Sequence, residues 1–215
     1  DEAFVYTFPL YEVARTRYRD FLGAEGLPSL PTNTVLHDPR VCDHDSRWVT
    51  TPNNDTLYSR AWIDLTTGPV RVDIDALPPD RYWSVAFMDA WTNNFVVIGG
   101  HSDGAGPASV TLVGPGGHAG TESNGSRIIQ APGNDVWLLA RWLVDPEGDP
   151  SVGQHMQSCM RISAQGAGRP VQPMPADAMD AASFVGVVCE RMAMNPPPAA
   201  DAAMLERIAA LGLKP

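Results

Sequence analysis

The hydrophobic pattern divides this chain of 215 residues into helical ends and a strand-rich middle. Steps of three or four positions, the spacing of one helix face, connect Phe4, Phe8, Tyr11, Arg15, Tyr18 and Leu22. Gly23 and Gly26 interrupt this spacing, and a Pro-containing stretch follows them. The pattern predicts an N-terminal helix and an extended connector within residues 1–50.

From Leu57 the period changes to two, as expected for a β-strand. Odd-numbered residues from Leu57 to Leu65 are expected on one face, and even-numbered residues, beginning with Tyr58, on the other. A Gly-Pro turn at 68–69 leads into a second alternating run, so the two runs predict a β-hairpin. Five more short runs with Gly and Pro between them complete seven strands within residues 51–145. Because no helical crossovers separate the strands, we expect an antiparallel sandwich or barrel.

The helical period returns in residues 146–215. Asp149 and Pro150 are a plausible cap and first position for a helix that runs to Ile162. Two further apolar helices follow, on either side of the "NPPP" stretch at 195–198. The fold class expected for residues 1–215 is therefore α+β, one antiparallel β-core flanked by N- and C-terminal helices.

Composition and charge exclude several classes of function. The formal charge of −10 and the lack of a basic stripe argue against nucleic-acid binding. No apolar run is long enough for a transmembrane segment. Three cysteines without close spacing form no zinc motif, and no Gly-rich phosphate loop is present, so we expect no cofactor and no metal. The sequence is compatible with a cytoplasmic location and with an exported, periplasmic location.

Two polar loops at predicted strand ends have the same unusual chemistry. The stretches "TPNNDTLYS" and "MDAWTNNF" each combine an Asn-Asn pair, an aspartate and an aromatic residue. Amides, carboxylates and an aromatic face suit the recognition of a small polar ligand that is carbohydrate-like or carboxylated. If the two loops meet in space, the candidate ligand-binding residues are Asn53, Asn54, Asp55, Tyr58, Arg60, Asp89, Trp91, Asn93 and Asn94.

Each of these residues also has a structural interpretation. Asn and Asp stabilise turns through bonds to the backbone, and Arg60 could neutralise a carboxylate as a plain ion pair. Asp55 and Asp89 could instead be the paired carboxylates of a hydrolase, but the sequence gives no distance between them, and the catalytic residues stay unknown. The run 43–45, Asp-His-Asp, matches no metal motif, so we expect a solvated loop there.

The long stretches "TPNNDTLYSRAWIDLTTGPV" and "RYWSVAFMDAWTNNFVVIG" resemble signature regions of the domain-of-unknown-function 1254 family. "DVWLLARWLV", the opening "FPLYEVARTR" and the closing "NPPP" region also fit, so the resemblance covers nearly the whole chain. It implies an immunoglobulin-like β-sandwich with an associated helical part. It implies no catalytic residues, because no established activity accompanies the family. Many relatives continue into a jelly-roll domain of the 1214 family, and the resemblance implies that such a domain would begin at about the point where the 215 residues stop.

Two hypotheses about function follow. In the first, the Asn/Asp loops bind a small polar molecule, and an extension of this hypothesis adds hydrolysis of that molecule. In the second, the loops are purely structural and the chain is an interaction module. Its partner would be a separate jelly-roll chain or, in a homodimer, a second copy of itself.

Overall fold

The computed structural model describes residues 1–23, 28–46, 51–117, 125–145, 149–174 and 180–214. Its five-stranded sheet contains β1 (Val35–His37), β2 (Thr56–Asp64), β4 (Trp83–Met88), β5 (Asn94–Gly99) and β8 (Asp135–Leu143), in the order β1-β2-β8-β4-β5. Its four-stranded sheet contains β3 (Val70–Ile74), β6 (Ala108–Val113), β7 (Arg127–Gln130) and β9 (Met160–Ala164), in the order β7-β6-β3-β9. The helices are α1 (Glu2–Leu22), α2 (Gly100–Asp103), α3 (Ser151–Ser158), α4 (Ala181–Met194) and α5 (Ala202–Ala209), with a 3₁₀ turn at Ala199–Asp201 before α5.

The two sheets pack face to face as a β-sandwich. Its core combines Leu57, Ile63 and Trp142 of the five-stranded sheet with Val72 and Leu112 of the four-stranded sheet. These residues occupy alternate strand positions, because side chains on a pleated strand point to opposite faces. The fold class is thus α+β, an antiparallel immunoglobulin-like β-sandwich with N- and C-terminal helices, as predicted.

Strand β2 is buried on both of its faces along all nine residues. Its odd-numbered side chains enter the sandwich core, and helices cover part of its outer face. There Trp62 stacks on Trp137 of β8, with ring centroids 5.2 Å apart. Tyr11 of α1 and Val188 of α4 belong to the same apolar cluster, which fixes the helical layer on the five-stranded sheet.

The predicted strands in the middle of the chain are confirmed as β2 to β8, and two further strands extend the sandwich beyond residues 51–145. Strand β1 has only three residues. The helix that begins after Asp149 ends at Ser158 rather than Ile162, and β9 pairs with β3. In the described ranges, no helix combines the length and apolarity that crossing a membrane requires.

The predicted hairpin between β2 and β3 is wrong. Strand β2 belongs to the five-stranded sheet and β3 to the four-stranded sheet, so the Gly-Pro turn carries the chain from one layer to the other. Strand pairing differs from the expectation at one further place, since β6 and β7 are parallel. The alternation of the two runs is real, but alternation does not specify which strand is the neighbour.

Candidate functional site

The first polar loop, residues 53–55, is attached through its main chain and exposes its side chains. The backbone N–H of Asn53 donates to the Tyr58 hydroxyl at 2.9 Å, and the carbonyl of Asp55 accepts from the Val144 N–H at 3.0 Å. The side chains of Asn53, Asn54 and Asp55 are solvent-exposed. This loop therefore leads into β2 as an anchored turn with a polar outer surface.

The second polar loop, residues 89–94, uses its aspartate to hold itself together. Asp89 is buried, and its Oδ1 accepts from the backbone N–H groups of Trp91 and Asn93, both at 2.9 Å. Its Oδ2 accepts from the Asn93 amide at 3.3 Å. Thr92 adopts a positive φ of 69°, which closes the turn. Asn93 and Asn94 are exposed, but the Asp89 carboxylate is occupied by the loop itself.

Trp91 ties this second loop to the helical layer. Its side chain is buried, and its indole N–H donates to the carbonyl of Asn195 at 3.2 Å. The Trp91 ring lies 5.1 Å from the ring of Tyr6 in α1. An aromatic residue with these contacts is part of the core and offers no open face to a ligand.

The two polar loops lie at opposite ends of the five-stranded sheet. The first precedes β2, where Thr56 pairs with Leu143, whereas the second follows β4, where Met88 pairs with Trp137. Both strands are antiparallel to β8, so these two ends are separated by six residues of β8, or about 20 Å at the rise of a β-strand. The expectation that the loops meet in one site is therefore wrong.

Tyr58 and Arg60 are enclosed beneath other elements. Tyr58 packs in a small cluster with Leu139 and Cys42, and the Arg141 guanidinium carbon lies 5.9 Å from its ring centre. Arg60 is 1% exposed and lies between two carboxylates, at 3.0 Å from Asp20 and 3.2 Å from Asp38. The ion-pair interpretation of Arg60 is confirmed by these distances.

The different roles of the two loops can be tested by a pair of alanine variants. We expect Asp89→Ala to lower the free energy of unfolding by about 1–3 kcal/mol, because it leaves buried N–H donors without an acceptor. Asn54→Ala, at an exposed position of the first loop, should change it by less than about 0.5 kcal/mol. Urea unfolding monitored by tryptophan fluorescence measures both values. An Asp89→Ala variant as stable as the parent would contradict this account of the loop.

The most concentrated charges lie where the helical layer meets the start of β8. Asp135, which is 3% exposed, accepts from Arg17 of α1 at 2.7 Å and from Arg169 of the segment after β9. Arg191 of α4 is 3.5 Å from its other oxygen. We call this group the Asp135 cluster; its members are Arg17, Asp64, Asp135, Arg169, Arg191 and Asn195.

Asp64 and Asn195 complete the Asp135 cluster. Asp64 lies directly across from Asp135 in the pairing of β2 with β8, and Arg169 bridges the two carboxylates. The side-chain amide of Asn195 donates through its Nδ2 to Asp135 at 2.8 Å, and its Oδ1 accepts from the Asp135 backbone N–H at 2.9 Å. Two like charges face each other here, and the arginines offset their repulsion.

Both carboxylates of the cluster are held ionised. Burial raises the pKa of Asp64, but hydrogen bonds from Arg169 and Thr66 outweigh this effect and lower the pKa to about 2. Burial also opposes ionisation of Asp135, but the charges of Arg17 and Arg169 and the Asn195 hydrogen bond lower its pKa below the usual value.

Gly168 has a φ of +77°, and a Cβ there would lie 2.5 Å from Thr32, which explains the glycine before Arg169.

Sequence reasoning missed the Asp135 cluster because its members lie far apart along the chain. Arg17 and Asp135 are separated by 118 positions. The helix face that the pattern predicts provided no signal, because it runs through Phe4, Arg15 and Leu22, which are exposed, whereas Arg17 lies on the buried face of α1.

The other histidine and aspartate candidates form no common centre. Asp43 accepts from the backbone N–H of Asp45 and from the Ser46 hydroxyl, as in a surface turn. His37 contacts Ser59 at 2.7 Å, inside the fold. Within the described ranges, no three His, Cys, Asp or Glu side chains are grouped so that they could hold a metal ion.

Comparison with known families places these features in context. The model of the family described as "Protein of unknown function (DUF1254)" matches residues 32–164, which include both polar loops and the nine strands of the described ranges. The chain belongs to the DUF1254 family. A search of curated proteins finds no match.

A solved structure supports the fold of this DUF1254 member. The VPA0106 protein of Vibrio parahaemolyticus is similar with a TM-score of 0.77 and 17% identity; the match covers 100% of this chain and 51% of that one. This chain thus spans about half the length of that relative. A putative uncharacterised protein of Burkholderia cenocepacia aligns over 52% of this chain and 31% of its own, with a TM-score of 0.38 and 15% identity.

Proposed function

We propose that this DUF1254 chain is a docking domain that functions by packing against a second, jelly-roll domain. One observation carries the proposal. The VPA0106 structure matches 100% of this chain, but the match covers 51% of the VPA0106 chain. About half of the VPA0106 chain therefore lies outside the fold that the two proteins share. The jelly-roll class of the partner follows from the family resemblance.

The internal bonding of the polar loops supports docking over ligand binding at those loops. The Asp89 carboxylate and the Trp91 indole are both engaged within the protein. The exposed amides of the first loop lie at the other end of the sheet. No single recognition surface includes both.

The surface that we propose for docking is the outer edge of β5. Strand β5 is the last strand of the five-stranded sheet, and in the described part of the chain it pairs only with β4. An edge strand presents free N–H and C=O groups, which a strand of another domain can pair with. A β-rich jelly-roll domain has strands suited to that role.

Strand β5 differs from the other sheet edges in its length and its lack of charge, and a register shift beside Phe95 is the one irregularity in its pairing with β4. Edges usually avoid pairing by being short or by carrying charge. Strand β1 has three residues, β7 begins with Arg127, and β9 carries Arg161, whose side chain is 56% exposed. The sequence of β5, "NFVVIG", has six residues without a charge or a proline. We infer that β5 is kept pairable because a partner covers it.

Apolar side chains beside this edge enlarge the proposed surface. Val97 of β5 is 52% exposed and lies next to Ala86 of β4 on the outer face of the sheet. Tyr82 is 50% exposed, and its hydroxyl bonds to Ser84, on the same face. By contrast, the C-terminal helices direct Phe184, Val188 and Ile208 into the protein, so their apolar faces are already covered.

Site-specific photocrosslinking tests this proposal. Benzoylphenylalanine replaces Val97 in the chain expressed in the organism that encodes it, and the attached peptide is identified by mass spectrometry. We expect an adduct with a jelly-roll domain, on the same polypeptide or on another. With the purified domain, binding should have one-to-one stoichiometry by calorimetry, and Val97→Lys should weaken it at least tenfold.

Leu211 provides the matched control, since it is apolar and 68% exposed but lies on the helical side. Benzoylphenylalanine at 211 should give no such adduct, and Leu211→Lys should leave the affinity within twofold. Equal adducts at the two positions, no adduct at 97, or an adduct that joins two copies of this chain would each overturn the proposal.

A further inference from the structure

Strand β8 carries an arginine, Arg141, on the outer face of the five-stranded sheet. Its neighbour Trp142 enters the sandwich core, so Arg141 points outward. The residues directly across from it are Tyr58 on β2 and Ser84 on β4. Its guanidinium carbon lies 5.9 Å from the ring centre of Tyr58, within the range of a cation–π interaction. Because Tyr58 is buried, its ring is a fixed platform for the guanidinium group.

No carboxylate of the described ranges neutralises Arg141. The five-stranded sheet has one other arginine, Arg60, and it lies between Asp20 and Asp38. The side chain of Arg141 has no ion pair or hydrogen bond to a described residue. It is half-buried, and its nitrogens are not among the unpaired donors that the fold seals from solvent. An acceptor from outside the domain can therefore reach them.

The sheet surface next to Arg141 is uncharged. The nearest outward side chains on β4, β5 and β8 are those of Ser84, Ala86, Val97 and Leu143. Arg141 thus places one positive charge on this surface, in a chain whose formal charge is −10. Charges across an interface are usually complementary, so this surface favours a partner with an acidic group at the same point.

Arg141 falls within the docking surface proposed above. Only β4 separates β8 from β5, so Arg141 lies two strand spacings, or about 10 Å, from the β5 edge. An ordinary interface covers about 800 Å² on each partner, which is roughly 30 Å across. Ser84, opposite Arg141, accepts from the hydroxyl of the half-exposed Tyr82. A domain that covers Val97 and Tyr82 therefore covers Arg141 as well.

Covering Arg141 requires an acceptor for its charge. A guanidinium group that is withdrawn from water without a partner is costly, and a carboxylate offsets this cost. The two carboxylate oxygens match the planar guanidinium fork and accept two parallel hydrogen bonds from it. A backbone carbonyl would accept a hydrogen bond but leave the charge in place. An acidic side chain therefore fits Arg141 better than a neutral acceptor.

We propose that Arg141 is the charged anchor of the docking surface and binds an aspartate or glutamate side chain of the jelly-roll domain. The partner is the domain of the proposed function, on which the assignment of Arg141 therefore rests. The partner must then present a carboxylate beside the groups that cover Val97 and Tyr82. Arginine is common among the few residues that dominate the affinity of an interface.

Calorimetry with the jelly-roll domain identified from the Val97 adduct tests the role of Arg141. We expect Arg141→Met, which removes the charge, to weaken binding at least tenfold. Arg141→Lys should weaken it less, because the charge is kept without the fork. High salt should weaken binding of the parent more than binding of the Met variant. Circular dichroism verifies folding, and Arg141→Gln replaces the Met variant if that variant does not fold.

Arg40→Met is the matched control. Arg40 is exposed, has no ion pair in the part of the chain that the structure describes, and follows β1 at the opposite edge of the sheet from β5. This variant loses the same charge but should bind the jelly-roll domain within twofold of the parent. An equal loss in the Arg40 and Arg141 variants would show a general effect of charge and overturn the anchor.

A charge exchange identifies the acidic group. Aspartates and glutamates on the surface of the jelly-roll domain are replaced by lysine one at a time, and each variant is tested against Arg141→Glu. One of them should bind Arg141→Glu at least tenfold more tightly than the unchanged domain does. Full affinity of Arg141→Met, or no rescuing exchange, would overturn the anchor and leave docking at β5 intact. No binding by the parent chain would overturn docking, and the anchor with it.

Discussion

Replacing Asp135 by asparagine should lower the free energy of unfolding by about 3–5 kcal/mol, because it removes the charged partner of a buried ion pair. The substitution keeps the shape of the side chain and removes its charge. Arg17, whose side chain is 6% exposed, would then retain a buried positive charge without this carboxylate, and Arg169 would retain only its pair with Asp64. Urea unfolding at pH 7 measures the loss.

Asp75→Asn is the matched control for this prediction. Asp75 also pairs with an arginine, Arg161, at 2.6 Å, but both side chains are 56% exposed. Exposed ion pairs contribute at most about 1 kcal/mol, so this variant should be nearly as stable as the parent. If the two variants lost the same stability, burial would not be the property that makes the Asp135 cluster important.

Arg60→Met is expected to have an effect of similar size, about 3–5 kcal/mol. Methionine fills much of the same volume, but Asp20 and Asp38 would lose the charge that lies between them. Asp20 is 2% exposed and also accepts from the Trp62 indole at 2.9 Å, so it is held in place. Thermal and urea unfolding of the variant, compared with the parent, measure the effect.

A compensated variant separates lost charge from lost packing. In the triple variant Asp20→Asn, Asp38→Asn, Arg60→Met, no charge remains buried in this group, and most of the stability should return. Arg15→Met controls for the arginine substitution, since Arg15 is 54% exposed and pairs only with Glu12 on its own helix. Stability that stays low in the triple variant would show that the packing of Arg60, rather than its charge, is decisive.

The strands could be predicted because their pattern is local. In β2, side chains from Leu57 to Ile63 alternate between the sandwich core and the outer face, and the sequence alternates with them. Strand β9 was missed because Met160 continues the apolar spacing of the preceding helix and thus favours a longer helix. Three residues of β1 were too few for any period to be visible.

The candidate site could not be located because strand direction is not a local property. The polar loops share their composition, but one precedes its strand and the other follows its strand. Since β2 and β4 run in the same direction on either side of β8, that difference places the loops at opposite ends. The arginines around Asp135 were hidden for a related reason, because only the complete fold brings α1 and α4 to the start of β8.

The long separations in the Asp135 cluster have a consequence for synthesis on the ribosome. Helix α1 emerges before the sandwich, but the partner of Arg17 follows 118 positions later, and the Tyr6 hydroxyl bonds to Asp201, 195 positions later. Contacts between distant residues form only after the intervening chain is available. Of the elements described here, the helix that leaves the ribosome before the others is therefore among the last to acquire its final contacts, and until then its apolar face is open to chaperones.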